Sequence, residues 1–239
     1  MAEVFEDKDF SDAVFWGVKL ARAQFRDTAF EETNFFHTLW RNVEIDGEIQ
    51  GLVVNGVDIT DYVNRNDRWY PLRYQLSPND AVGLRASWNQ LEKEWSGLLA
   101  RVGAAAPSIA ETSIDNEWSL LDTLRHLLFA MDKWFTWPIL GIHIFSPLGL
   151  PNAESQAGEW PGLASIENID FDAVLRQRKQ QHESFALFLE TLDVNALPAT
   201  VDVLENGAVP TLSCFHVILE EEFEHLRYMI RDLEHLGLS

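Results

Sequence analysis

Glu221 and His225 stand four residues apart in the segment His216-Val217-Ile218-Leu219-Glu220-Glu221-Glu222-Phe223-Glu224-His225-Leu226-Arg227-Tyr228. In a helix each residue turns about 100°, so these two side chains differ by only about 40° and stack on one face. A carboxylate oxygen and an imidazole nitrogen one turn apart can reach one divalent cation. A third ligand has to come from another helix. His126, in Thr123-Leu124-Arg125-His126-Leu127-Leu128-Phe129-Ala130, is the best candidate, because Ala130 one turn later leaves space beside it. Spacing alone leaves two readings of this face open: a metal site and a solvated acidic surface.

The same geometry sorts the other polar residues. His216 lies about 180° from His225 on one helix, so the two cannot share a site; His216 reads as a helix-start or core histidine. The apolar arc of this helix holds Phe215, Leu219, Leu226, Met229 and Leu233. Glu222 falls inside that arc and competes with Glu221 for the carboxylate role. Tyr228 and Asp232 lie near the Glu221/His225 face and could hydrogen-bond behind the ligands. His182 sits among Leu175, Arg178, Phe185 and Leu189, either lining a cavity or as a satisfied buried histidine. His143 falls in a long loop, either closing over a substrate or simply exposed. Cys214 is expected at a helix start, where the dipole lowers a thiol pKa, but no partner for nucleophilic catalysis accompanies it. No catalytic residue is assigned.

These residues must be positioned by helices. From about residue 78, Leu84, Trp88, Leu91, Trp95, Leu98 and Val102 recur at alternating +4 and +3 spacing, the stripe of an amphipathic helix. A second helix is expected from Ser119, with Asp122 three residues on as its capping box, through Leu121, Leu124, Leu128, Met131 and Phe135 until Pro138. A third spans about 170–192 and a fourth about 212–236. A loop of nearly thirty residues, about 141–169, separates the second from the third, a length typical of lids and functional loops. Asn206-Gly207 marks a turn before the last helix. Four such helices with one long crossover predict a four-helix bundle.

The front of the chain follows another rule. Phe5, Phe10, Phe15, Leu20, Phe25, Phe30, Phe35, Trp40 and Ile45 recur every five positions, a period of neither helix nor strand. It resembles the pentapeptide-repeat family, which implies a short right-handed four-sided β-helix. Asn55-Gly56 between two β-rich runs predicts a hairpin that would close its open end. The expected class is therefore α+β: residues 1–62 a pentapeptide segment with closing hairpin, 63–77 a linker, and 78–239 the bundle. Pentapeptide proteins that mimic DNA are longer. About two coils at roughly 4.8 Å each fall well short of the roughly 34 Å of one DNA turn.

Trp118-Ser119 leading into Leu124-Arg125-His126-Leu127, with Glu220-Glu221 and His225 about ninety residues later, resembles the DinB-like superfamily over about residues 78–236. Mycothiol-dependent maleylpyruvate isomerases within it carry Glu and His one turn apart on the last helix. The resemblance implies a four-helix bundle with a divalent metal held by His126, Glu221 and His225. Zn is the first choice, with Ni, Mn or Fe as others. It also implies a low-molecular-weight thiol as cosubstrate for S-transfer or isomerisation on a small electrophile. The alternative is a non-catalytic interaction module with a structural or vestigial site.

Composition narrows the partners. The chain of 239 residues has 38 acidic and 18 basic residues, a net charge of −20. That argues against nucleic acid and against an anionic membrane surface, leaving a small-molecule substrate and a monomer or homodimer as the expectation. One cysteine, no signal-peptide pattern and no apolar run of about 18 residues point to a cytoplasmic protein.

Overall fold

The computed structural model describes residues 3–5, 8–25, 28–105, 107–114, 117–152, 155, 160–165 and 168–238. The chain divides into two compact units, Met1–Asp46 and Gly47–Ser239.

In the first unit no strand or helix forms among the described residues, so the predicted β-helix is not found. The five-residue period is nevertheless visible in the backbone. Asp12, Gly17, Arg22, Glu32, His37 and Asn42 all have positive φ. These left-handed residues, spaced by multiples of five, interrupt the extended stretches between them. The central rings touch their neighbours, with Phe5–Phe10, Phe10–Phe15 and Phe35–Trp40 centroids at 5.8, 5.9 and 5.2 Å. These three Phe–Phe and Phe–Trp contacts are edge-on, the favoured geometry for aromatic pairs. The rings are not a closed core, since Phe10 is 49% and Phe15 64% exposed.

The second unit is helical. Its hairpin pairs β1 (Val53–Val54) with β2 (Val57–Asp58). Asn55 and Gly56 take the two positive-φ turn positions, as the sequence requires. The stretch expected to be a linker is structured instead. It contains α1 (Thr60–Asn66) and a 3-10 turn, Leu72–Gln75, whose Leu72 is buried. The Tyr74 hydroxyl donates to the Ile49 carbonyl at 2.8 Å and accepts from the Ile49 N–H at 2.9 Å. Trp69 stands edge-on to Phe223 at 5.6 Å. These contacts tie Ile49 to the 3-10 turn and Trp69 to the helices of the second unit.

The bundle consists of α2 (Ala81–Gly103), α3 (Leu120–Met131), α4 (Phe171–Thr191) and α5 (Thr211–His235). α2 and α3 each pack mainly against α4 and α5, so α2 stands diagonal to α3. The stripe Leu84, Trp88, Leu91, Trp95, Leu98 and Val102 is buried along its whole length. Each such side chain contributes roughly 1.5–3 kcal/mol on burial. Local chemistry sets the helix starts. The Asp80 side chain accepts from the Gly83 N–H, the Ser119 hydroxyl from the Asp122 N–H, and the Asp170 side chain from the Asp172 N–H. α3 does not run on regularly to Pro138. A π-helical turn, Asp132–Thr136, follows it. Before α5, β3 (Thr200–Asp202) and β4 (Ala208–Pro210) form a second hairpin around Asn206-Gly207.

Cys214 is buried in α5. Burial pushes its thiol up to about 11, so desolvation overrides the helix-start effect expected from the sequence. Alkylation by iodoacetamide at mildly alkaline pH should therefore be negligible in the native protein and complete in denaturant. Labelling of the native protein at the rate of a free thiol would contradict this placement.

Candidate metal centre

α3 and α5 bring His126, Glu221 and His225 together. One donor atom from each lies within 4.8 Å of the others. His126 Nε2 is 3.1 Å and His225 Nε2 3.3 Å from the same carboxylate oxygen, Glu221 Oε2. The one-turn spacing on α5 gives the Glu221–His225 pair. The packing of α3 on α5 supplies His126. His126 is buried, while the side chains of Glu221 and His225 stay partly open, at 27% and 19%, leaving one side approachable.

The other nitrogen of His126 fixes its role. Nδ1 lies 3.3 Å from the Leu150 carbonyl. A carbonyl only accepts, so Nδ1 carries a proton and Nε2 is the nitrogen turned to Glu221. Two acceptors then face each other at 3.1 Å unless a cation, either a proton or a metal ion, lies between them. A histidine oriented by a backbone carbonyl on its far side is the usual arrangement of a metal ligand. Burial pushes the Glu221 carboxyl up. Hydrogen bonds from His126 and His225, and the charge those rings can carry, outweigh this and hold it at about 2. The carboxylate is thus ionised at neutral pH, as a ligand must be. By donor set and orientation the three residues fit a divalent cation.

Trp118 covers the group. Its ring stacks on His225 at 6.0 Å and lies 4.8 Å from His126. The segment carrying Trp118 is tied to α5, because Arg231 pairs with both Glu117 and Asp232. Asp232 pairs with Arg231, and no contact between Asp232 and His225 is found among the described residues. Tyr228 is 44% exposed. Its ring is 6.4 Å from that of His225, and the Arg231 guanidinium lies over it at 5.3 Å.

Other residues singled out from the sequence lie elsewhere. Glu222, the competing carboxylate, is turned away from the triad. It receives two hydrogen bonds from Arg178 on α4, one of them 3.0 Å, and sits 3.2 Å from His182 Nε2. His182 Nδ1 in turn pairs with Glu92 on α2. His182 is thus a buried, satisfied histidine of a charged network and does not touch the triad. Burial raises the Glu222 carboxyl, but the Arg178 charge outweighs burial and holds it at about 2. The Arg178 guanidinium also lies 4.6 Å from the Trp95 ring. His143 is exposed and packs on Trp137 at 4.6 Å. His216 Nε2 donates to the Pro78 carbonyl at 2.9 Å, a structural role at the start of the bundle.

A helical bundle with His on one helix and Glu and His one turn apart on the last offers a donor set that could hold a divalent cation. A family model of the DinB superfamily matches residues 64–229, and the chain belongs to that superfamily. The match leaves residues 1–63 uncovered, so it carries no support for a pentapeptide repeat there. No curated protein and no solved structure matches the chain. No helix among the described residues is long and apolar enough to cross a membrane.

Proposed function

We propose that the chain is a divalent-cation-dependent enzyme that activates a low-molecular-weight thiol for attack on a small electrophile, by S-transfer or isomerisation. The observation that carries this reading is the convergence of two imidazole Nε2 atoms and one carboxylate oxygen, with the far nitrogen of His126 held by Leu150. His126, Glu221 and His225 would hold the cation, with Zn first and Ni, Mn or Fe as other candidates. When bound by only three protein ligands, such a cation supplies an open coordination position and favours the deprotonated form of a thiol placed there.

The chain's own residues do the rest. Leu150 sets the His126 ring so that Nε2 points inward. The ionised Glu221 offsets part of the cation's charge. Trp118 screens one side of the group from water and offers a flat apolar surface to a substrate. Glu222, Arg178 and His182 pin α5 to α4 immediately behind Glu221, so the carboxylate stays in register with His126. A small-molecule substrate, a monomer or homodimer, and a reducing cytoplasmic setting complete the proposal.

The test is turnover of monobromobimane by the zinc-loaded full chain with mycothiol, bacillithiol and glutathione in parallel. The expected result is a rate at least about tenfold above the uncatalysed reaction with one thiol, lost in His126→Ala protein that retains its helical circular dichroism. No acceleration with any of the three, by protein shown to contain the metal, would overturn the thiol reading.

A further inference from the structure

A separate cleft of about 340 Å³ lies between the π-helical turn, the Gly141–Pro147 segment and α4. None of its lining residues belongs to the triad. One wall is apolar, from Leu140, Ile142 and Ile144. The other is a row of carboxamides, Gln177, Gln180 and Gln181, at i, i+3 and i+4 on α4. Its volume falls in the range of small-molecule sites.

The cleft is preformed. The Ser146 N–H donates to Asp132 Oδ2 at 2.6 Å, the Ile142 N–H to the Thr136 carbonyl at 3.1 Å, and the Phe145 N–H to the Pro161 carbonyl at 2.7 Å. Gly162, at φ +92°, lets the chain pass where a Cβ would lie 2.5 Å from Ile144 Cγ1 and from the Phe145 carbonyl oxygen. The apolar wall is nevertheless open, since Ile142 and Ile144 are 48% and 57% exposed. The two isoleucines give the open side of the cleft an apolar face.

The polar side defines the ligand. No Lys, Arg or His lines the cleft among the described residues, so nothing matches an anion. Each oxygen of Asp132 accepts a hydrogen bond from the wall, from the Ser146 N–H and from Gln181 Nε2 at 2.8 Å, and the residue is buried, so its carboxylate is committed to the wall rather than to the open cleft. Gln181 Nε2 also donates to the Leu128 carbonyl, which fixes the amide and leaves its Oε1 as acceptor. Gln177 is half-buried and Gln180 exposed, so both carboxamides stand at the mouth of the cleft. Ser146 is 7% exposed, and its hydroxyl has no hydrogen-bond partner among the described residues. A buried unpaired hydroxyl lining a cavity is a group that a ligand can satisfy.

We infer that this cleft binds an uncharged small molecule with a flat or aliphatic apolar body and a carboxamide-like edge. The body lies on Ile142 and Ile144, and the edge exchanges hydrogen bonds with the Gln177/Gln180/Gln181 row. The inference stands apart from the metal reading, since neither the cleft nor its test uses the triad.

The probe is benzamide, with benzoate and benzylamine as anionic and cationic counterparts, titrated into the nitrogen-15-labelled full chain and followed by NMR. Saturable millimolar binding of benzamide is expected, with shifts of the Gln177, Gln180 and Gln181 side-chain amides. Both charged counterparts should bind at least about fivefold more weakly. Ile144→Glu and Gln180→Lys each place a charge on an exposed rim position, and both should reduce benzamide affinity by a similar factor without loss of fold. Absence of saturable binding, equal binding of all three probes, or unchanged affinity in whichever variant folds would overturn the inference.

Discussion

Arg178→Met should destabilise the bundle by about 3–5 kcal/mol, measured by urea denaturation at neutral pH, because it strands a buried carboxylate. Glu222 is 2% exposed and receives two hydrogen bonds from the Arg178 guanidinium. Without Arg178 the carboxylate keeps the His182 ring, at 3.2 Å, as its remaining side-chain partner among the described residues. A loss of this size is a large part of the 5–15 kcal/mol that holds a typical domain together, so a second variant is needed to separate cause from collapse. Replacing both partners, as Arg178→Met with Glu222→Met, removes the stranded charge and should recover most of the loss. The acid limb offers an independent check. The Glu222 carboxyl is depressed from 4.5 to about 2 in the folded chain. Its contribution is therefore fully present above pH about 4.5 and is lost as pH falls toward about 2. The double variant should show a flatter loss of stability across that window. An Arg178→Met protein within about 1 kcal/mol of the wild type would mean that the pair carries no weight in the fold.

The second large effect is metal-linked. At a free cation concentration about one hundred times Kd, binding to the native state alone adds about 2.7 kcal/mol. For a unit of this size that raises the midpoint of thermal unfolding by about 5–10 °C. Zinc should produce such a shift in the wild type and none in His126→Ala or Glu221→Gln. The shift should also disappear as pH falls far enough for protons to compete for the imidazoles and the carboxylate. Tyr228→Phe should keep it, because Tyr228 meets the triad only by ring contact with His225. Equal shifts in the wild type and in His126→Ala would place the bound zinc elsewhere on this acidic chain.

The bundle was legible because its signals are local. The Ser119/Asp122 box starts α3 where the sequence places it, and the stripe from Leu84 to Val102 is buried as its period requires. Glu221 and His225 follow from one helical turn. Ala130 singled out His126 as the best third candidate, but the family resemblance was needed to choose a metal site over a solvated acidic face, because which helices become neighbours is decided by packing over nearly a hundred residues of separation. The same limit hid the partners of Glu222. Its place in the apolar arc showed that it would be buried, but not that Arg178 and His182 on α4 and Glu92 on α2 would complete a network there. Leu150 acts through a backbone carbonyl, to which side-chain identity is blind. Trp118 could be quoted as part of a motif without its position above two histidines being apparent. At the front of the chain the five-residue period was real, but a period fixes the spacing of turns and not the pairing of strands. The backbone there repeats its left-handed residues without forming a β-helix among the described residues.

The most direct test of the metal centre is the metal content and coordination of the full chain. The protein would be stripped with chelator, reconstituted with zinc, freed of excess by gel filtration, and measured by mass spectrometry of the metal and by X-ray absorption. The predicted result is one zinc ion per chain, bound by two imidazole nitrogens and at least one carboxylate oxygen, and lost in folded His126→Ala protein. Wild-type protein that retains no zinc, or His126→Ala protein that retains as much, would contradict the assignment of His126, Glu221 and His225 as its ligands.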